Sequence, residues 1–408
     1  MHYKKDKSPK GFSLIKLALF LSMLLIVSGV AIYSFLDINP FDVLSDGFSG
    51  LYNRIFTTSA EQLKETVKDI LEVDANEKIS CAAASGDLVI AGISSVRIVD
   101  QEGMEKAYIP VSLKKPFVQS YGDGVIVADI EGRYFALINN GKIAWEKNID
   151  EDIVNASISD TWVLLITKSK QSGYKRTIRA YSKDGQEISF RNVSNYYPFM
   201  AANYPGYNKS CFVISSIETS GLEANGLFEF LDLSMNQKAS IKGAKEIFGK
   251  GFPLEKESLF IYSERSIMAV DSMYRTIWHH KTEGSKVTAA NVVNKKFPVV
   301  ALLDTNVLLR ERRNETTVRI YNNNGTEKDS FVLMGKVTGI SVKEKTAAVI
   351  AESEVFFINQ DGSIMDQYTA RSDIQGVYLS KDDTAYIVTS DLITRVKIKT
   401  DHKFLGIF

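Results

Sequence analysis

The strongest constraint on this chain is a phrase that it repeats eight times: an alternating apolar strand, a polar turn and a second alternating strand. The copies start at Val96, Tyr134, Ile178, Leu227, Ile267, Val318, Val355 and Ile393, 37 to 51 residues apart. Five place glycine at the same eighth position, at Gly103, Gly141, Gly185, Gly325 and Gly362, behind Asn, Asp or Glu. A turn of that composition calls for positive φ, which glycine adopts freely, so each copy is predicted to be a hairpin. Ahead of each hairpin lies a further strand, often opened by an acid, as at Asp87, Asp123 and Asp160. In five copies a third strand precedes that one, at Ile79, Val154, Val287, Val337 and Ile374. A four-strand unit repeated at this period builds a β-propeller, because neither a sandwich nor a barrel repeats four strands eight times.

The copies predict an all-β, eight-bladed propeller over residues 69–400, with seven blades as the alternative. The last copy, Ile393 to Thr400, is followed only by the tail 401–408, DHKFLGIF, and so lacks its outer strand. A strand from Asp69 to Ala75 would close the ring and cover an edge otherwise open to aggregation.

Before the repeats, Leu17 to Leu36 is a run of 20 residues without a charge, about 30 Å of helix and enough to cross a hydrocarbon core. Lys4, Lys5, Lys7, Lys10 and Lys16 precede it, whereas Asp37, Asp42 and Asp46 follow it. By the positive-inside rule, residues 1–16 form a cytoplasmic basic tip, residues 17–36 a single-pass transmembrane helix, and the propeller stands outside the cytoplasm. A cleaved secretory signal also has a basic and an apolar region. This run is longer than such a region, however, and its exit, SFLDINP, lacks an A-x-A-like site, so it reads as an uncleaved signal-anchor. Residues 37–68 read as a juxtamembrane stalk. In it the Ser59 and Gln62 capping spacing and the stripe Leu63, Val67, Ile70 and Leu71 suggest a short amphipathic helix whose end is ambiguous with the closing strand.

Composition narrows the function classes. The chain is formally neutral, which argues against nucleic-acid binding, whose phosphate contacts need a basic excess. Its two cysteines, Cys81 and Cys211, fall in distant blades and read as separate buried thiols rather than a disulfide. Adjacent His279 and His280 point to opposite faces of a strand and cannot share one metal. No G-x-S-x-G, P-loop or metal-spaced Cys/His set is present. The sequence therefore suggests no enzyme and no cofactor.

One positional signal points to a partner surface. From second to third strand the start-to-start spacing is 9 in four blades, but 18 in blade three and 21 in blade six, and blade four is also long. In a propeller these connections share one face with the links between blades, and lengthened loops on one face are where partners bind. Blade three places Lys168, Lys170, Lys175 and Arg176 there, and blade six Arg310, Arg312 and Arg313. The run NYYPFMAANYPGY, with Tyr196, Tyr197, Tyr204 and Tyr207, enters blade four. Arginine and tyrosine are enriched at interface hot spots, so these eleven residues are the candidate site. A protein or an anionic envelope polymer is the expected partner. If the closing strand enters from the opposite face, this one points away from the membrane.

Two hairpins carry a family resemblance. Ala136, Leu137, Gly141 and Trp145 in FALINNGKIAWEKNI, and Ala269, Val270 and Trp278 in IMAVDSMYRTIWHHKT, resemble the quinoprotein-type (PQQ) repeat, A-L-D-x-x-T-G-x-x-x-W. The resemblance implies an eight-bladed propeller of the kind shared by quinoprotein dehydrogenases and by a scaffold lipoprotein of outer-membrane assembly. It leaves a ligand- or quinone-binding propeller, a sensor or an oxidoreductase, as the alternative function. The vicinal cysteine pair of the alcohol-oxidising branch is missing. A signal-anchor helix followed by such a propeller also resembles an uncharacterised bacterial domain-of-unknown-function family.

Overall fold

The computed structural model describes residues 67–204, 211–219, 223–305, 315–380 and 383–399, which form eight four-stranded antiparallel sheets. Blade one contains Ser80–Ala84, Asp87–Ala91, Ser95–Val99 and Glu105–Pro110, in that order from the inside outward. Blades two to seven repeat the pattern with four consecutive strands each. The eighth takes Gly376–Leu379, Thr384–Val388 and Leu392–Lys397 from the end of the chain and its outer strand, Val67–Glu72, from the start. That strand runs antiparallel to Leu392–Lys397, with Val67 opposite Val396 and Glu72 opposite Leu392.

The blade count is therefore eight, closed by a strand two residues upstream of the expected start. Val67, Ile70 and Leu71 belong to this strand and not to an amphipathic helix. VKDILE satisfies both periods over so short a span, and the partner that decides between them lies more than 300 residues away. The apolar run 17–36, the tip and most of the stalk, Tyr207, Arg310, Arg312, Arg313 and the tail lie outside the described residues. Among the described residues no helix is long and apolar enough to cross a membrane.

Burial explains the two kinds of strand pattern. Second strands are sandwiched between neighbouring blades on both faces, so Gly124–Asp129 is buried throughout and reads as a continuous apolar run. Outer strands meet a neighbour on one face only, so Glu105–Pro110 alternates between exposed and half-buried. Eight apolar clusters result, one at each junction between blades. At the seam, Cys81, Leu88, Ile90 and Val99 of blade one pack on Tyr386, Val388 and Ile393 of blade eight, with Ile70 and Leu71 of the closing strand against them. Cys81 is unbridged, and burial pushes its thiol up to about 12.

The hairpin turns dock on the outer strand of the preceding blade, and this contact explains which turns carry glycine. The Trp145 indole donates to the carbonyl of Lys183 at 2.8 Å, and a Cβ at Gly185 would stand 3.0 Å from its ring. The Trp278 indole likewise donates to Asn323 at 2.8 Å, where a Cβ at Gly325 would stand 2.6 Å away. The equivalent outer-strand positions in blades three and four hold the small residues Ser189 and Ala239. There the next turn supplies a side chain instead: Met235 and Tyr274, both at positive φ, with Tyr274 against the Phe230 ring at 4.8 Å. Large meets small at each of these four junctions.

Candidate functional site

Loops joining second to third strands, and loops joining successive blades, leave on one face, here called upper. Blade three contains Ile153–Ile158, Trp162–Lys168, Arg176–Ser182 and Glu187–Val193, and blade four begins with Tyr196–Tyr204. The long loop of blade three, residues 169–175, therefore stands beside the link from blade two and the start of blade four.

The loop is held from beneath by a carboxylate. Glu151, in the link before blade three, is 7% exposed. Its oxygens accept from the Thr167 and Thr177 hydroxyls at 2.5 and 3.2 Å, from Arg179 Nη2 at 3.0 Å and from the Lys170 backbone N–H at 3.3 Å. Burial alone would raise its pKa, but these donors and the Arg179 charge outweigh it and hold the carboxyl below the ordinary range. The loop's other end is tied where the Lys175 N–H donates to the Val193 carbonyl at 2.7 Å and the Asn192 amide to the Gln171 side chain at 2.7 Å.

On this base, cations and an aromatic ring converge. Lys175 Nζ lies 4.2 Å from the centre of the Tyr197 ring and Arg176 Cζ 5.7 Å from it, both within cation–π range. Tyr197 and Tyr174 remain 37% and 38% exposed. Among the described residues, the side chains of Lys170, Lys175 and Arg176 form no ion pair. Lys168 is different, because its Nζ meets Asp152 at 3.8 Å. Two acids on the upper side of blade four are paired, Glu218 with Lys242 at 3.5 Å and Glu223 with Lys245 at 2.7 Å. The patch is thus positive with an exposed aromatic centre.

Tyr196 does not join the open surface. It is half-buried beside Glu229, which is fully buried. Arg191 Nη2 approaches that carboxylate at 3.5 Å, too long for a strong charged hydrogen bond, and neither carboxylate oxygen has a hydrogen-bond partner among the described residues. Burial pushes the Glu229 carboxyl above its ordinary range, which Tyr196 and Arg191 only partly offset.

The four tyrosines grouped by sequence do not share one surface. Tyr196 and Tyr204 are the two ends of one nine-residue strand, which at about 3.3 Å per residue separates them by about 26 Å. The structure thus gathers Lys175, Arg176 and Tyr197, ties the Lys170 backbone to Glu151, pairs Lys168, half-buries Tyr196 and sends Tyr204 to the lower face. Glu151 and Tyr174 went unrecognised in the sequence. Glu151 reads there as one of several turn acids in DEDI, and only the pairing of strands brings Thr167, Thr177 and Arg179 around it.

Two other places were candidates for chemistry. His280 is exposed and lies against the Trp278 and Tyr321 rings, at 5.2 and 5.8 Å, with Nε2 2.7 Å from the Gly325 carbonyl oxygen. Among the described residues no group of three His, Cys, Asp or Glu side chains could hold a metal. At the lower mouth of the central channel, inner strands of blades one, two, six, seven and eight line a cavity of about 980 Å³. Gln119, Tyr121 and Tyr378 contribute to it, with Lys295, Lys343, Glu344 and Lys345 at its rim.

Comparisons with known proteins agree with the fold. A family described as of unknown function (DUF5711) matches residues 60–398. BamB from Moraxella catarrhalis superposes with a TM-score of 0.55 at 14% identity, over 83% of this chain and 99% of its own. Sqt1 from Saccharomyces cerevisiae gives 0.61 at 10% identity, over 81% and 99%, and the Dos1 propeller 0.57 at 12%, over 81% and 95%. At such identities the likeness is one of fold alone. No curated protein sequence matches the chain.

Proposed function

We propose, for a chain that belongs to the DUF5711 family and folds as an eight-bladed propeller, a non-catalytic role as a membrane-tethered interaction platform outside the cytoplasm. It docks an anionic partner, a protein or an envelope polymer, on the upper face of blades three and four. The observation that carries this reading is the convergence of Lys175 and Arg176 on the exposed Tyr197 ring. The loop beneath them is pre-ordered by Glu151, so binding costs little conformational entropy. The tether rests on the apolar length of residues 17–36 and on the charges flanking it.

The test is binding of the full chain to polyglycerol phosphate, with poly-L-glutamate as a peptide counterpart, at low and physiological salt. The variant Lys170→Glu/Lys175→Glu/Arg176→Glu is expected to bind at least about tenfold more weakly, with most of the difference at low salt. Equal affinity of variant and native chain for both polymers would remove the reading.

A second reading rests on the channel cavity. Lys295, Lys343 and Lys345 outnumber Glu344 at its rim, which suits a small anionic ligand, and a rise in Tm with millimolar citrate or phosphate that is lost in Lys343→Glu would favour it.

A further inference from the structure

The junction between blades one and two breaks the pattern of turns docked on outer strands. The outer strand of blade one offers Ala107 where blades two and five offer Trp145 and Trp278, and the turn of blade two offers Gly141. A Cβ built on Gly141 meets Ala107 only at 3.7 Å and Ile98 at 3.9 Å, whereas the equivalent contacts with tryptophan are 3.0 and 2.6 Å. Blades three and four also present small residues, but Met235 and Tyr274 reach back to fill the space. At the seam Ile70 lies against Gly103, and Asp329 fills the position facing Gly362. Between blades one and two small meets small, and a crevice of about 300 Å³ is left.

We propose that this crevice is a docking site for a tryptophan side chain of a partner protein. The floor is apolar: Val89, Ile98, Val125 and Ile138 are buried in the core of these two blades. The Asn140–Gly141 turn, a two-residue loop with both residues at positive φ, borders the crevice; in the longer turns of blades three and six a backbone carbonyl accepts an indole N–H. The rim carries Asp87 paired to Lys106 at 2.7 Å, with Asp123 against Lys142 in overall charge. That neutral balance selects an uncharged group over an anion or a cation, and indole combines large apolar area with one donor. The chain itself supplies the template, since its own indoles occupy the same position at two other junctions. This site lies among first-to-second and third-to-fourth turns, on the lower face, and stands or falls separately from the basic patch.

The test uses the purified full chain with the peptide Ac-Gly-Trp-Gly-NH2 and its alanine counterpart as probes. Native protein is expected to bind the tryptophan peptide saturably in the millimolar range, at least about tenfold more tightly than the alanine peptide, with ring-current shifts of the Ile98 and Ile138 methyl resonances. Ala107→Trp is expected to fill the crevice from within, raise Tm by about 1–3 °C and abolish peptide binding. Absence of saturable binding or of methyl shifts in the native protein would overturn the proposal. So would binding that persists unchanged in Ala107→Trp. Should Ala107→Trp not fold, the methyl shifts in native protein decide alone.

Discussion

Tyr274 and Trp278 sit four residues apart at two successive blade junctions, and each fills a space that its neighbour leaves open. Trp278 is 8% exposed and stacks between Phe260, His280 and Tyr321. Trp278→Ala should therefore lower stability by about 3–5 kcal/mol, the range for truncating a buried tryptophan, measurable by denaturant unfolding at unchanged slope. Two buried carboxylates make opposite predictions with pH. The Glu151 carboxyl is held low when folded, so its stabilisation is present above the ordinary carboxylate range and fades as pH falls through the folded value. Glu151→Gln should cost about 2–3 kcal/mol at neutral pH, somewhat under a fully buried pair because Arg179 keeps Glu187 at 2.8 Å, and much less in acid. The Glu229 carboxyl is raised when folded, so its contribution is greatest below the ordinary carboxylate range and is lost as pH rises. Glu229→Gln should flatten that loss, read as Tm against pH. Neither environment is legible locally. Glu151 and Glu229 are each one acid among many in the sequence, and the partners that separate them come from other strands.

At the scale of elements, the closing strand carries the largest consequence per residue. Val67–Glu72 is the outer strand of blade eight, and Ile70 lies against the Gly103 turn of blade one. Ile70→Asp places a carboxylate against that backbone and into the seam cluster. We expect a fall in Tm of several degrees and faster hydrogen exchange in Leu392–Lys397, with blades three to five unchanged. Uniform loosening of all blades would show that the seam is no separate weak point. The eight hairpins were legible because their turns share one glycine position and because strand alternation is a local signal. The closing strand was legible only from what the last copy lacked, and its bounds shifted by two residues at the start and three at the end because VKDILE fits helix and strand alike. The tyrosine run misled for a related reason: adjacency in sequence along a nine-residue strand means opposite faces of the ring. Loop length pointed to blade three, and the structure brings Lys175, Arg176 and Tyr197 together there. It could not tell that Lys168 is paired while Lys175 and Arg176 share one ring.

For the whole molecule, the two faces of the ring differ in kind. The upper face presents cations and Tyr197 on a loop braced by Glu151, while the lower face has the channel cavity and the crevice between blades one and two. The proposed platform would use the rigidity of eight interlocked cores to hold one patch in place. The most direct measurement is site-specific photo-cross-linking in intact cells, with a benzophenone side chain at position 197 and, as the opposite-face control, at position 121, where Tyr121 is 50% exposed. The platform account predicts a discrete adduct from position 197 that disappears when Lys175 and Arg176 are changed to glutamate. Adducts that survive those changes, or that form only from position 121, would contradict it.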